Sequence, residues 1–385
     1  MSKEHALIES NTLEVRNRQW GSFIEQSQIG KAVKIWLAIG LVMIFIQVFV
    51  GGITRLTGSG LSITKWEIVT GTLPPMNAAQ WDEAFSLYKA TPQYQKINEG
   101  MSMSEFKFIY FWEYIHRLWA RWMGMVFLIP FLIFWATGQF SRLLLRRLVV
   151  VFLLAGLVAS FGWIMVKSGL SDRPWVNAYK LTLHLSLALI LFSYLAWTFF
   201  QTLQTKVQVF HRSMLKKWSL AISVLIALQI MLGGVMSGTH AGLFYPTWPD
   251  IQGEYLPSIL FNIEMWNVDN FVNYDTNPFL PALIHSLHRN LAYLLTIIIL
   301  WFVWSILKAS PSRTLRLASY LLVTLLITQL ALGILTLINC IGTIPVGLGV
   351  MHQAVAVLLL FTMLFVNYQT IDHRFSQIVD KYVDK

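Results

Sequence analysis

The chain alternates between long apolar stretches and short polar or charged segments. A helix needs roughly 20 apolar residues to cross a bilayer. Stretches of about that length or longer, without Lys, Arg, Asp or Glu, occur at 35–54, 122–141, 148–166, 181–205, 218–249, 290–307 and 317–371. The last is split by the turn-forming run Gly342-Thr343-Ile344-Pro345-Val346-Gly347. We therefore predict eight helices, at about 35–53, 109–136, 148–167, 179–203, 218–237, 282–307, 317–339 and 348–368.

The composition excludes a soluble domain. Apolar residues make up 56% of the chain, charged residues only 12%, and the mean hydropathy is +0.57. Such a chain is typical of an all-α polytopic membrane protein. Membrane lipid is then an obligatory partner.

The cations predict the orientation in the membrane. The short connections between helices carry Arg142, Arg146, Arg147, Lys206, Arg212, Lys216, Lys217, Lys308, Arg313 and Arg316, whereas the loop 238–281 has no Lys or Arg. By the positive-inside rule both termini are cytoplasmic and the two long loops lie outside. The net charge of +10 belongs largely to this cytoplasmic rim, so we predict no nucleic-acid partner.

The first 34 residues predict the type of membrane. They are polar and contain Glu4, Glu9, Glu14 and Glu25. Acidic residues argue against both a cleaved signal peptide and a mitochondrial transit peptide. We predict a multi-pass protein of a bacterial plasma (inner) membrane.

The two halves of the chain repeat one pattern. Six identities recur at a constant offset of 182 residues: Gln47 with Gln229, Gly51 with Gly233, Gly52 with Gly234, Gly60 with Gly242, Leu61 with Leu243 and Trp66 with Trp248. We predict two four-helix bundles, 35–205 and 218–370, as parallel repeats about an axis along the membrane normal. A cytoplasmic linker, 206–217, would join them, and cytoplasmic segments 1–34 and 371–385 would flank them.

Four histidines recur in the same way. His116 corresponds to His288 and His184 to His352, each near the start of an even-numbered helix and so at similar depth on the outer side. Helical bundles build cofactor sites from facing side chains, and paired histidines are axial ligands of haem iron. The alternatives are four separate polar residues or a proton path. A bare metal ion fits less well, because no carboxylate or thiolate completes either pair and Cys340 is the only cysteine.

Glu113 breaks the repeat. It lies one helical turn before His116 and Arg117, and the equivalent position in the second half is His285. It either neutralises Arg117 at the membrane edge or serves as a carboxylate that moves protons beside a haem. The asymmetry suggests that one haem is the group that reacts, while the other haem assists that reaction.

The remaining polar residues allow simpler interpretations. Arg117 and Arg289 need counter-charges, which haem propionates or lipid headgroups could supply. For His240, in the loop after helix 5, a solvated surface position is the default. The first outer loop, 54–108, is long enough to cover the site as a lid, although its sequence does not require this.

Several runs of residues resemble the haem A synthases, in the branch shared by Gram-negative bacteria and mitochondria. The likeness covers about residues 35–368, including the extended first outer loop. Its motifs are Gly51-Gly52-Ile53-Thr54-Arg55-Leu56-Thr57, Gly60-Leu61-Ser62, Glu113-Tyr114-Ile115-His116-Arg117, Tyr179-Lys180-Leu181-Thr182-Leu183-His184, His288-Arg289 and Leu348-Gly349-Val350-Met351-His352-Gln353.

The resemblance implies an activity and roles for the histidines. The family oxidises a ring methyl of haem O to a formyl group, which gives haem A for terminal oxidases. His116 and His184 would flank the substrate haem, with Glu113 essential to the chemistry. His288 and His352 would ligate a resident haem B that passes electrons.

The resemblance also implies partners, and the chain departs from the family at two points. Haem O synthase and terminal oxidase assembly factors would be its partners. The family often has an Asp at the position of His240, and some relatives carry a cysteine pair in the outer loops that this chain lacks.

Two other classes of protein compete with this interpretation. A di-haem cytochrome b with permanent bis-histidine haems explains the histidines but not the asymmetry between Glu113 and His285. A transporter would fit parallel repeats and intramembrane ions, yet no helix is interrupted at mid-span.

Overall fold

The protein is an eight-helix membrane bundle, in a computed structural model that describes residues 29–65, 70–170, 173–203, 213–309 and 311–370. Within these residues, eight helices are long and apolar enough to span a bilayer, as predicted. They are α1 (Lys31–Leu56), α2 (Met103–Ala136), α3 (Arg142–Gly169), α4 (Ala178–Leu203), α5 (Ser213–Gly238), α6 (Phe279–Lys308), α7 (Arg313–Ile338) and α8 (Val346–Gln369). The all-α polytopic class is confirmed.

Three helices begin five or six residues before their predicted starts, because the charged residues used as boundaries lie inside the helices. Helix α2 begins at Met103 rather than 109, α3 at Arg142 rather than 148, and α5 at Ser213 rather than 218. Ser102 caps α2 in a capping box with Glu105, which satisfies backbone N–H groups before the apolar part begins. The predicted linker therefore ends in the first turn of α5, while 1–28, 204–212 and 371–385 lie outside the described residues.

Most contacts between helices recur in the two halves, although α6 also packs on α7 while α2 makes no comparable contact with α3. In the first half α1 packs on α2 and α4, and α3 packs on α4; in the second, α5 packs on α6 and α8, and α7 packs on α8. The halves meet where α1 contacts α8, α4 contacts α5, and α4 contacts α8. This is the packing that a duplicated four-helix unit requires, although the duplication itself stays a prediction.

Helices α1 and α5 end in the same turn. Thr57 N–H donates to the Ile53 carbonyl, and Thr239 N–H, 182 residues later, donates to the Val235 carbonyl. The next residue is left-handed in both turns, with φ of 67° at Gly58 and 55° at His240. Glycine adopts this conformation freely, whereas a residue with a Cβ does so uncommonly.

The outer loops fold over the ends of the helices. Short helices Ala78–Lys89 and Pro92–Lys96 pack on the start of α2 through an aromatic cluster that includes the fully buried Tyr88 and Phe106. Gln93 Nε2 donates to the Gly58 carbonyl at 2.9 Å, which fastens this loop to the end of α1.

Candidate haem site

One cavity of about 1610 Å³ is lined by residues of all eight spanning helices. Pockets for one small ligand are typically about 300–1,000 Å³, so this cavity has room for more than one. The structure brings all seven predicted site residues to its wall: Glu113, His116, Arg117, His184, His288, Arg289 and His352. Residues of the first outer loop, including Gln93, Asn98 and Met101, also line it.

In the second half, His288 and His352 face each other. Their ring centroids are 6.4 Å apart and the ring planes are inclined at 71°. A bond of about 2.0 Å from each histidine nitrogen to a shared metal, plus about 1.1 Å from nitrogen to ring centre, gives a separation of about 6.2 Å. The observed spacing therefore suits one metal between the two rings.

The second histidine of each pair is held by the preceding helix. His352 Nδ1 lies 3.1 Å from the Gln329 carbonyl, and His184 Nδ1 lies 3.1 Å from the Val158 carbonyl. A carbonyl accepts only from a protonated nitrogen, so the proton is on Nδ1 and Nε2 is the acceptor nitrogen of each ring; in His352 it faces Gln329 Nε2 at 3.3 Å. This is the usual outer-shell arrangement of a metal-binding histidine.

Glycines let the second histidine of each pair approach the backbone of the preceding helix. A Cβ at Gly333 would lie 2.8 Å from His352 Cε1, and a Cβ at Gly162 would lie 3.0 Å from His184 Cε1. Each glycine is four residues after the carbonyl that holds the same ring, and so lies one turn along the same helix face. Side chains at these positions would displace the imidazoles.

The first histidine of each pair packs on a glycine of α1 or α5. A Cβ at Gly51 would lie 3.1 Å from His116 Nε2, and a Cβ at Gly233 would lie 3.2 Å from His288 Cε1. Glutamines one turn earlier bind the histidine backbones: Gln47 Nε2 donates to the His116 carbonyl at 3.2 Å and Gln229 Nε2 to the His288 carbonyl at 2.9 Å. The repeat motif thus surrounds the candidate ligands.

Glu113 is a buried acceptor at the edge of the cavity, with 2% of its surface exposed. Its Oε2 accepts from the Ser62 hydroxyl and from Ile63 N–H, both at 2.8 Å. Its Oε1 accepts from Arg117 Nη2 at 2.6 Å. The ion pair considered from the sequence is therefore present within α2, and the bonds from Ser62 and Ile63 tie α2 to the loop after α1.

The second half has no carboxylate at the equivalent position. His285 is 1% exposed, lines the cavity, and its Nδ1 has no hydrogen-bond partner among the described residues. Arg289 is 5% exposed and donates through Nη1 to the Pro249 carbonyl at 2.7 Å, through Nη2 to the Tyr255 carbonyl, and stacks over the Tyr255 ring. Both predicted arginines therefore bind outer-loop carbonyls.

The expectation of a solvated surface position for His240 was wrong. His240 is only partly exposed and lines the cavity, and its Nε2 lies 3.2 Å from Arg55 Nη2. The reason is the left-handed turn at the end of α5, which directs the ring inward. Arg55 was missed as a site residue, although a cation at the end of an uncharged span was a usable signal. His5, His211 and His373 lie outside the described residues.

An ion pair joins the outer loops of the two halves. Arg173 Nη1 lies 2.8 Å from Asp275 Oδ2, and Trp175 Nε1 donates to Asp275 Oδ1 at 2.9 Å. Partial burial raises the pKa of the Asp275 carboxyl above its ordinary value, despite the opposing effects of Trp175 and Arg173. Asp275 and Trp175 also line the cavity, so this contact forms part of its outer wall.

Comparison with known proteins gives consistent results. Residues 34–364 match the model of the COX15-CtaA family, described as cytochrome oxidase assembly proteins. A haem A synthase of Bradyrhizobium diazoefficiens is 42% identical over 333 residues, which cover 86% of this chain and 89% of the relative. A haem A synthase of Nitrosospira multiformis is 40% identical over 345 residues, covering 89% and 94%. That of Sinorhizobium medicae is 38% identical over 328 residues, covering 85% and 87%.

Proposed function

This chain belongs to the COX15-CtaA family of cytochrome oxidase assembly proteins, and we infer from this membership that it is a haem A synthase, an oxidoreductase of haem A biosynthesis. Its substrate is haem O, and the reaction converts a ring methyl to a formyl group in two successive oxidations. A di-haem electron-transfer cytochrome is not favoured, because the similar relatives reported above are named as haem A synthases.

The observation that carries the residue assignment is one cavity with two histidine pairs, in which only the first half has a carboxylate one helical turn before the first histidine of its pair. His116 and His184 hold the substrate haem in the first half, where Glu113 lies. His288 and His352 hold a resident haem B in the second half, where the equivalent position is His285. An enzyme needs acid–base groups at the reacting methyl, whereas an electron carrier needs only a stable pair of axial ligands.

The second pair fits a haem iron by three features. The ring spacing of 6.4 Å suits bis-histidine ligation. The Nδ1–carbonyl contact of His352 makes its Nε2 the acceptor nitrogen, which a haem iron would take over from the Gln329 amide that lies 3.3 Å from it. His288 Nδ1 is buried without a hydrogen-bond partner among the described residues, which leaves polar capacity for a ligand. When bound, haem B supplies one-electron redox chemistry there.

The chain's own residues supply positioning and proton transfer. Oxidation of the substrate methyl releases protons, and Glu113 faces the cavity one turn from His116, where it takes one up. Ser62, Ile63 and Arg117 orient its carboxylate. Apolar helix walls and the first outer loop limit water at the reacting carbon.

Orientation and partners follow from the charge pattern and the family. Both termini face the cytoplasm of a bacterium, and the membrane is the plasma membrane. Reporter fusions after Phe140 and Lys308 should register as cytoplasmic and one near Gln252 as external; the reverse pattern would refute this topology. Haem O synthase and terminal oxidase assembly factors are the proposed partners.

A pigment experiment tests the activity. The full chain is co-expressed with a source of haem O in cells without their own haem A synthase, and the extracted haems are separated by chromatography. A formyl haem should accumulate with the wild-type chain and be absent with His116→Ala. If only haem O and haem B are recovered from cells with abundant wild-type protein, the proposed activity is wrong.

A further inference from the structure

Arg55 presents a guanidinium between the two halves of the molecule. It lies on α1, yet its Nη2 donates to the Ser237 carbonyl of α5 at 3.0 Å and lies 3.2 Å from His240 Nε2. Its Nε is buried and has no hydrogen-bond partner, and among the described residues no carboxylate forms an ion pair with Arg55. Arginine does not deprotonate in proteins, so a buried positive charge is left without a counter-ion.

The other two predicted arginines have both terminal nitrogens in use. Arg117 is neutralised by Glu113 and also donates to the Ile63 and Lys65 carbonyls. Arg289 also has a buried Nε without a partner among the described residues, but it uses both terminal nitrogens on loop carbonyls and stacks on Tyr255. Among the described residues, Arg55 bonds only through Nη2, to a carbonyl and a neutral imidazole, and it too lines the cavity.

The position of Arg55 relates it to both histidine pairs. It is one helical turn beyond Gly51, which packs on His116, and Ser237 is one turn beyond Gly233, which packs on His288. The guanidinium therefore lies at the boundary between the two candidate haem sites. His240 accepts from it, which requires a neutral ring with the proton on Nδ1 and orients the guanidinium.

We propose that Arg55, oriented by His240, binds a haem propionate at the boundary between the two halves. A planar guanidinium with unused N–H groups matches a carboxylate, and the propionates are the peripheral carboxylates of a haem. The proposal rests on the haem-binding function above and reassigns propionate recognition from Arg117 and Arg289. It applies to the substrate haem or to the resident haem, and the experiment separates the two.

The test measures a preference for free carboxylates. The haem-depleted full chain is titrated with ferric protohaem and, separately, with its dimethyl ester, and the Soret band gives both affinities. His352→Ala isolates the first pair and His116→Ala isolates the second. We expect the diacid to bind roughly tenfold to hundredfold more tightly than the ester at the site that Arg55 serves.

Variants assign that preference to the guanidinium. Arg55→Gln should reduce the diacid-to-ester ratio by roughly tenfold while leaving the absorption spectrum of the bound haem unchanged. Arg55→Lys keeps the charge but loses the planar fork and should give an intermediate ratio. His240→Gly suits the left-handed backbone and should lower the ratio less. Arg147→Gln is the matched control, because Arg147 also has a buried Nε without a partner but does not line the cavity.

Each outcome decides the proposal. A reduced ratio with Arg55→Gln in one background identifies which haem is bound. The wild-type ratio retained by Arg55→Gln in both backgrounds would overturn the inference while leaving haem binding intact. Failure of the wild-type chain to bind haem would overturn the proposed function together with this inference.

Discussion

The two halves of the molecule hold their histidines alike but surround them differently. In each half, one ring packs on a glycine of the first helix and the other on a glycine of the third, with its Nδ1 at a carbonyl. In the first half a buried carboxylate, Glu113, lies one turn away; in the second that position is His285. Helices α2 and α3 also bury few of their residues, whereas their equivalents α6 and α7 bury more.

This difference separates the features that hold the axial histidines from the features that the proposed reaction needs. The shared features are those that any axial pair needs: a fixed ring, a fixed tautomer and close helix approach. The carboxylate and the less buried helices of the first half fit the proposed substrate site, which has to handle protons and exchange its haem. Matched substitutions at equivalent positions of the two halves test this difference.

The largest effect is expected at Glu113. Glu113→Gln keeps the shape but cannot take up a proton, so haem A formation should fall by on the order of 10²–10⁴ while haem B stays bound. The measurement is the haem A content of membranes supplied with haem O. His285→Gln, at the equivalent position, should cost far less. Equal losses from both variants would mean that the asymmetry has no catalytic content.

The resident haem should depend on the second half alone. His352→Ala removes one axial ligand and should abolish or shift the low-spin spectrum of the purified protein, as should His288→Ala. His184→Ala, the equivalent change in the first half, should leave that spectrum in place. An unchanged spectrum and haem content in both second-half variants would refute the assignment.

Glycine substitutions should weaken haem binding moderately. Gly333→Ala places a methyl 2.8 Å from the His352 ring, so the imidazole must shift and haem affinity should fall by about tenfold to hundredfold. The measurement is a haem titration of the depleted protein. Gly347→Ala, where a Cβ meets nothing within 4 Å, is the control and should bind haem as the wild type does. Equal affinities for the two variants would argue against a ring held by helix contact.

The smallest effect concerns the ion pair between the outer loops. Because the folded-state pKa of Asp275 is raised, the folded protein binds this proton more readily than the unfolded chain does. The stability of the wild type should therefore decrease, relative to Asp275→Asn, as the pH rises through the raised pKa. Thermal midpoints in detergent, measured from acid to neutral pH, test this. A constant difference between the two proteins across that range would contradict the prediction.

Much of the fold was predictable because a bilayer restricts the alternatives. Uncharged stretches of sufficient length are expected to form helices in a bilayer, and the structure contains the eight predicted spanning helices. The helix starts were less predictable, since a cap such as Ser102 lies among charged residues outside the hydrocarbon region. The seven predicted site residues line one cavity, as expected if the predicted repeat places equivalent side chains at equivalent heights.

The contacts that the sequence did not predict are long-range. Nothing near Arg55 in the sequence indicates that it reaches His240, 185 residues later. The inward direction of His240 depends on a left-handed backbone, which local propensity disfavours for a residue with a Cβ. Likewise, the three donors to Glu113 come partly from a loop, Ser62 and Ile63, that only tertiary packing brings to α2.

The contact between the first and last spanning helices affects the order of assembly during synthesis. Gln353 of α8 donates to the Val48 carbonyl of α1 at 2.8 Å, and a Cβ at Gly349 would lie 2.7 Å from Leu56 Cδ1. These partners are 305 residues apart, which the ribosome translates in about 15–60 s at about 5–20 residues per second. Helix α1, which lines the first histidine pair, therefore acquires its last neighbour only after every other spanning helix has been made. The first half cannot complete its walls before the second half exists.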